Sequence, residues 1–349
     1  MRTSLCLVFV FCAVVITGCE AIPEKKEIAA APSEVSENEN ILLVVNFEED
    51  TPLRYKFVCR RDIRVTWGDG DTSSDSASKN TKRYYEEVEM VFSYIPVEIK
   101  PYGLSTIRAK CESVRLKRDY GQSGRQADAI MHLKAESAEL KVDPRGKIED
   151  YSQLRKLAYK LGENAFRQNT SQGRIKEPDM IGDFLVTQWF LWDAVSSIKN
   201  PAEGVQEGQS WQSQLSVPLP IMLRAARDVT YRLAEIRQSE KGRLAVIRSS
   251  YTAADSVAGS WPLPYSGPFR ISGPFGLYRN YEVLDLKGSG EQIFNIDEGR
   301  IETDRQNYTV QVKAFFPMPL GDGKKVNPHI NIRQRITMEY LDSGNAEKK

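Results

Sequence analysis

Val88-Glu-Met-Val-Phe-Ser-Tyr-Ile-Pro-Val-Glu-Ile99, followed by Lys100-Pro-Tyr-Gly103 and the run Leu104 to Leu116, decides the fold. Two long strand-like segments flank a Pro/Gly turn, which reads as an antiparallel hairpin. A second hairpin of similar design lies in the other half of the chain. There Val229-Thr-Tyr-Arg-Leu-Ala-Glu-Ile236 and Arg243-Leu-Ala-Val-Ile-Arg248 flank Gln238-Ser-Glu-Lys-Gly242. Each hairpin is followed by a related segment, Ala138-Glu-Leu-Lys-Val-Asp-Pro-Arg-Gly-Lys-Ile-Glu149 in one half and Gln292-Ile-Phe-Asn-Ile-Asp-Glu-Gly-Arg-Ile-Glu302 in the other. In both, a strand leads into an Asp-to-Gly turn, then a basic residue, Ile and Glu. Glycine supplies the positive φ of a tight turn, and the Asp carboxylate can cap it. The expected fold is mainly β with some α, with long antiparallel strands in two related modules and at least two helices packed on the sheets.

The helices interrupt the strands. Tyr151 to Arg167 places Leu154, Leu157, Ala158, Leu161 and Ala165 on one face, with Asp150 as the N-cap. Asp179 to Lys199 follows Pro178 with Asp179 as a candidate cap, carries Phe184, Leu185, Gln188, Trp189, Trp192, Val195 and Ile198, and is stopped by Asn200-Pro201. Between the second hairpin and its related segment, Gly259 to Gly276 holds four prolines and four glycines among Trp261, Tyr265, Phe269 and Phe275. That composition predicts a stiff aromatic loop without regular structure. Trp189 and Trp192 at helical spacing, with the four rings of the loop, are candidates to bound an apolar pocket. The competing reading puts all six rings in the core.

At the other end of the chain, Leu5 to Cys19 is an apolar run after Met1-Arg2 and closes on Ile16-Thr17-Gly18-Cys19. One basic residue, a secretory-length apolar run and small residues before a cysteine form a signal peptide over residues 1–18. The run is too short to span a bilayer, which needs about 20 residues. Its ending resembles the lipobox of bacterial lipoproteins. That resemblance implies export, lipidation of Cys19 and a folded part held outside the cytoplasm on a membrane of the bacterial cell envelope. More than one acyl chain makes such an anchor stable, since each buried methylene contributes about 0.8 kcal/mol. Residues 19–40, rich in Glu, Ala, Pro, Ser and Lys, read as a disordered tether with a coil span of about 25 Å. The folded part is expected as a β module with helices over 41–200, a second β module over 201–342, and a tail over 343–349.

Removing Arg2 with the signal peptide leaves the basic residues, 48 in the whole chain, equal in number to the 47 acidic ones. A balanced chain offers no electrostatic footprint for nucleic acid. Cys6 and Cys12 leave with the signal peptide, so Cys59 and Cys111 are the thiols that remain beside Cys19. Two states are open to them, a mutual disulfide or two free buried thiols. His132 and His329 are the only histidines and have no second ligand at metal spacing, so no cofactor or metal is expected. Asp69, Asp71 and Asp75 invite a calcium-loop reading. It fails because Ser74 stands where Gly is needed and Asn80 where a bidentate Glu is needed.

The turn Val142-Asp-Pro-Arg-Gly-Lys-Ile148 and the step Val205-Gln-Glu-Gly-Gln-Ser-Trp211 resemble a family of uncharacterised bacterial envelope lipoproteins. The resemblance implies a β-rich exported fold and carries no catalytic residues. A remoter similarity of architecture links the chain to curved-sheet carriers of lipids and lipoproteins. Together these readings predict a non-enzymatic, membrane-tethered module that binds an apolar ligand or an envelope partner. A scaffold without a small-molecule site is the alternative, and a hydrolase with a cryptic site stands third.

Overall fold

Eleven antiparallel strands form one open sheet in the order β5-β4-β3-β2-β1-β14-β13-β12-β10-β9-β8. The computed structural model describes residues 40–67, 81–119, 127–169, 171, 173–221, 223–258, 261, 263–277, 279–316 and 327–342. In chain order the strands of this sheet begin with β1 (Leu53–Thr66), β2 (Thr81–Glu98), β3 (Ser105–Arg118), β4 (Ser137–Val142) and β5 (Ile148–Asp150). They resume with β8 (Ser210–Val217), β9 (Ala225–Ser239), β10 (Gly242–Ala253), β12 (Arg279–Asn295), β13 (Arg300–Phe315) and β14 (His329–Tyr340). Both sequence-predicted hairpins are present, as β2–β3 and β9–β10. The mainly β reading holds, with each half a meander. The halves 41–200 and 201–342 do not make separate sheets, however. They supply the two flanks of one, joined where β1 pairs along its length with β14. Residues 1–39, read above as a signal peptide and a tether and including Cys19, lie outside the described residues, as do Asp69, Asp71, Asp75 and residues 343–349.

Three helices lie between the flanks: α1 (Ser152–Glu163), α2 (Ile181–Trp189) and α3 (Asp193–Ser196). Asp150 accepts from the Ser152 N–H at 2.8 Å, and Leu154, Leu157, Ala158, Leu161 and Ala165 are all buried. The helix ends before Arg167 because Phe166 opens a strand, β6 (Phe166–Asn169). This pairs with β7 (Gly173–Lys176), which in turn pairs in parallel with β11 (Arg270–Ile271) from the aromatic loop. That loop is therefore less irregular than its composition predicts. The helix expected over Asp179 to Lys199 is two, broken at Phe190-Leu-Trp192. The break resolves a packing conflict. Four large apolar residues in succession cannot share one face of a continuous helix, and the bend turns Trp192 inward.

Curvature of the sheet follows from what α2 and α3 touch. Gln188 accepts from the Tyr94 hydroxyl of β2 at 2.8 Å. Five residues later, Asp193 accepts from Ser213 of β8 at 3.0 Å and from Tyr231 of β9 at 2.8 Å. More tightly still, the adjacent residues Val45 and Asn46 lie against Gly146, between β4 and β5, and Gly299, between β12 and β13. In a flat sheet β4 and β12, six strand spacings apart, would stand about 29 Å from each other. The sheet is therefore curled around its helices while its edge strands β5 and β8 stay unpaired with one another.

An N-terminal strap closes one end of this curl. Ile41, Leu43 and Val45 are buried at alternate positions. Ile41 exchanges two backbone hydrogen bonds with Val205, and the Asn46 N–H donates to the Gly299 carbonyl at 2.8 Å. The two Asp-to-Gly turns noted in the sequence lie under the strap. At Gly146 (φ 88°) a Cβ would stand 2.6 Å from Val45 Cγ2, and at Gly299 (φ 61°) one would stand 2.5 Å from Asn46 Cβ. Both turns need glycine for conformation and for clearance. Asp143 caps its own turn, accepting from the Arg145 and Lys147 N–H groups. In the second turn Asn295 takes that role toward Glu298, and Asp297 instead accepts from Arg243 of the neighbouring hairpin.

Cys59 and Cys111 are both free and buried. The register shows why they cannot pair. Cys59 lies opposite Val88 on one side of β2, and Cys111 opposite Phe92 on the other. Two strand spacings and four residues of offset put their Cα atoms about 16 Å apart, against the limit of about 7 Å for a disulfide.

Candidate functional site

Directly opposed residues set a polar row across the inner face of the sheet. Arg118 of β3 faces Glu86 of β2, which faces Arg61 of β1, which faces Gln334 of β14. Arg61 and Gln334 are 1% exposed and Glu86 not at all, and the Arg118 side chain is nearly covered. Glu86 accepts from Arg61 Nε at 2.7 Å and from Arg118 Nε at 2.8 Å. Arg118 also donates to Asp128 at 2.7 Å. Asp183 of α2 joins from above, 3.3 Å from Arg61 and accepting from Gln334 at 2.6 Å. Burial pushes the Asp128 carboxyl up to about 6, against the pull of Arg118. The same cause raises Asp183, opposed by Arg61. Burying these charges is tolerable only because each is paired and hydrogen-bonded.

Helix α2 has two working faces, because it is apolar nearly all round. Phe184 and Gln188 face the sheet, with Phe184 stacked on Phe92 at 6.0 Å. Gly182, Leu185, Val186 and Trp189, at helical spacing, line a cavity of about 460 Å³. Its other walls are the β8–β9 connection, with Leu219, Ile221 and Leu223, and the aromatic loop, with Trp261, Leu263, Tyr265 and Phe269. Its charged lining is Arg61, Asp183, Lys176 and Asp179, with Arg224 exposed. The cavity lies at the end of the strands where β8 finishes and β9 begins, opposite to the strap.

The loop is fastened down by polar contacts. The Tyr265 hydroxyl donates to Asp179, Ser272 to Glu177 at 2.6 Å, and Arg174 to the Ser266 carbonyl at 2.6 Å. Phe269 packs edge-on to Phe166, and Trp261 edge-on to Phe190 at 5.6 Å. At Gly162 of α1 the backbone of Pro264 comes so close that no side chain would fit.

Four of the six candidate rings, Trp189, Trp261, Tyr265 and Phe269, thus meet around one cavity. Trp192 and Phe275 do not. Trp192 is 1% exposed and packs edge-on against Phe47 and Tyr94; Phe275, also 1% exposed, packs against Tyr84. The helix break removes Trp192 from the face of Trp189, and the 3-10 turn Gly273–Leu277 carries Phe275 to the core. Arg61, Lys176 and Asp183 escaped the sequence reading, since isolated charges look solvent-exposed until register opposes them; Asp179 entered it only as a helix cap, and its contact to the Ile181 N–H is long, 3.4 Å. The sequence signal was the charged run Lys176-Glu-Pro-Asp179 ahead of a mostly apolar helix. Among the described residues no group of His, Cys, Asp and Glu could hold a metal ion. His132 is exposed in a 3-10 turn and His329 starts β14.

No family model matches the chain, and no curated protein matches it. Among solved structures, OpdL of Pseudomonas aeruginosa is similar at 9% identity, over 83% of this chain and 98% of its own, with a TM-score of 0.17. OccK2 (OpdF) of the same organism is similar at 6% identity, over 82% and 97%, with a TM-score of 0.15. Likeness at those scores carries no argument, and the site must be read from its own chemistry.

Proposed function

We propose that this chain is a membrane-tethered bacterial lipoprotein, anchored through Cys19, whose folded part binds an apolar ligand without transforming it. The observation that supports the reading is the second apolar stripe of α2. Besides packing on the core and, for Trp189, on Tyr151, Gly182, Leu185, Val186 and Trp189 line a cavity of about 460 Å³. That volume falls within the range of about 300–1,000 Å³ of ligand pockets, which are mostly apolar with a few fixed polar groups. The open curled sheet around helices also agrees with the remote similarity to curved-sheet lipid carriers, an analogy of architecture.

Titration with the neutral apolar fluorophore N-phenyl-1-naphthylamine tests it. The reading expects saturable, single-site binding that changes Trp189 and Trp261 emission. Trp261→Ala should weaken it about tenfold. Trp261 is partly exposed and its wall is held elsewhere, so the same change should leave the melting temperature nearly unaltered. Absence of saturable binding by the parent protein refutes the ligand reading and leaves the scaffold alternative.

A further inference from the structure

We infer that the cavity selects a neutral amphiphile with a hydroxyl at its polar end, a long-chain alcohol or monoacylglycerol, over a fatty acid; this rests on the ligand-binding reading above. Among the polar groups of the wall, most are already engaged. Arg61 donates to Glu86 and Asp183, and both oxygens of Asp183 are taken, by Arg61 and by Gln334. Asp179 is different. Its Oδ1 accepts from the Tyr265 hydroxyl and, at 3.4 Å, from the Ile181 N–H, but its Oδ2 is buried and accepts no hydrogen bond. The residue is 8% exposed and lines the cavity.

Beside it stands Lys176, 9% exposed, with Nζ 3.4 Å from Asp179 Oδ2 and a long 3.4 Å contact to the Glu177 carbonyl. The ammonium has three N–H donors and meets both partners at the outer limit of hydrogen bonding. The polar wall therefore offers a stretched ion pair, its ammonium also 4.5 Å from the Tyr265 ring, in which Asp179 Oδ2 accepts no hydrogen bond and Lys176 makes only long ones. A hydroxyl satisfies both, donating its proton to Asp179 Oδ2 and accepting from Lys176 Nζ. A carboxylate has no proton to give and would bring a like charge against Asp179; Lys176 is already paired with that residue, and Arg224, the further lining cation beside Arg61, is exposed, where its attraction is screened by solvent. An amine would meet Asp179 but face the Lys176 ammonium. Neutral, donor-plus-acceptor chemistry is what the pair fits.

The test uses the whole chain carrying Cys19→Ser, so that no detergent is needed, and displaces bound N-phenyl-1-naphthylamine with dodecan-1-ol, monolaurin or laurate at neutral pH. Dodecan-1-ol and monolaurin should compete at least about tenfold more tightly than laurate, the scale of one buried hydrogen bond made or lost. Asp179→Asn sharpens the test. Tyr265 and Ile181 both need an oxygen at the Oδ1 position, so the amide nitrogen falls where Oδ2 stands and turns an acceptor into a donor. In that variant the preference should shrink or reverse. Should the variant not fold, Lys176→Met provides a second, which should weaken the alcohol without helping laurate. Equal or tighter binding of laurate by the parent overturns the inference while leaving ligand binding intact. An unchanged ratio in folded Asp179→Asn also overturns it. Binding of the fluorophore but of none of the three amphiphiles refutes the hydroxyl selectivity alone, and no binding of any probe refutes both readings.

Discussion

Glu86→Gln puts the largest stress on this fold for the smallest change in shape. Glu86 is fully buried and accepts from Arg61 Nε at 2.7 Å, from Arg61 Nη2, and from Arg118 Nε at 2.8 Å. Glutamine has the same volume but no charge, and its amide group would point N–H donors at a guanidinium. Two arginines would then share Asp183, 3.3 Å from Arg61, and Asp128, 2.7 Å from Arg118. Both carboxyls are themselves pushed toward the neutral form by burial. Breaking a buried ion pair by neutralising one partner costs about 3–5 kcal/mol. For a chain of this size that lowers the melting temperature by about 6–10 °C. Urea unfolding followed by tryptophan fluorescence measures it. Arg61→Met with Glu86→Leu provides the second arm, because it removes both members of the central pair together and leaves Arg118 to Asp128 and Asp183 to Gln334. The double variant should lose clearly less than the sum of its two single changes. A cost below about 1 kcal/mol for Glu86→Gln, or strict additivity in the double variant, would show that the row does not act as a unit.

Gly146→Ala should destabilise by about 2–3 kcal/mol, combining a positive φ with a Cβ 2.6 Å from Val45 Cγ2, and chemical denaturation measures it. Gly173→Ala, with a similar φ of 72° and no atom within 4 Å of its Cβ, should cost only about 1 kcal/mol; equal losses would remove the strap from the account. Asp193 sets a pH dependence. Burial raises its carboxyl to about 6, against its hydrogen bonds from Tyr231 and Ser213. The folded state thus holds a proton that the unfolded chain releases near pH 3.9, so this group's stabilisation is full below that value and lost as pH rises through about 6. Asp193→Asn should therefore stabilise the protein by about 2 kcal/mol at pH 8 and change little at pH 4, as read from melting curves. Burial pushes the Cys111 thiol up to about 12 and raises Cys59 well above its usual range, so neither should react with a thiol reagent at pH 8 before unfolding, and reductant should not move the melting temperature. Cys19→Ser should move the protein from membranes to the soluble fraction and abolish fatty-acid labelling; retention on membranes would refute the anchor.

Local pattern was enough wherever the determining contacts are local. Val88 to Glu98 reads as a strand because Val88, Met90, Phe92 and Tyr94 point to one face, and that face proved to be the core. Pro96, unusual inside a strand, falls where the β2–β3 register shifts, between Pro96 and Glu98. The stripe of α1 was legible for the same reason. What failed depended on register or on a bend. Trp189 and Trp192 share a face only in an unbroken helix, and the break at Phe190 to Trp192 sends one to the cavity and the other to the core. The pairing of Cys59 with Cys111 could not be excluded from the sequence, because only the offset across β2 separates them. The polar row was invisible for a similar reason. Arg61, Glu86 and Arg118 lie in three different strands, and nothing in any one strand shows that they are opposed.

The row divides the inner face into two regions with different packing, which explains how a cavity persists beside a dense core. On the strap side, Tyr55, Phe57, Phe92 and Tyr94 meet one another at ring distances of 5.9–6.5 Å and are closed off by Phe184 and Trp192. Side chains there are free to slide together until the space is filled, which is what apolar contact favours. On the far side, the wall opposite α2 is a loop whose position is set by hydrogen bonds. Tyr265 to Asp179, Ser272 to Glu177 and Arg174 to Ser266 fix it at the leading end of α2 and along β7. A hydrogen bond holds its partners at one distance, and the prolines around Tyr265 keep the loop from folding further inward. Leu185 and Val186 therefore cannot draw the loop down onto themselves, and the space over them stays open. Cutting those polar ties, as in Tyr265→Phe with Ser272→Ala, should let the loop collapse, so that probe binding falls even though every apolar wall residue is retained. Undiminished binding in that double variant would show that the apolar contacts alone hold the cavity open.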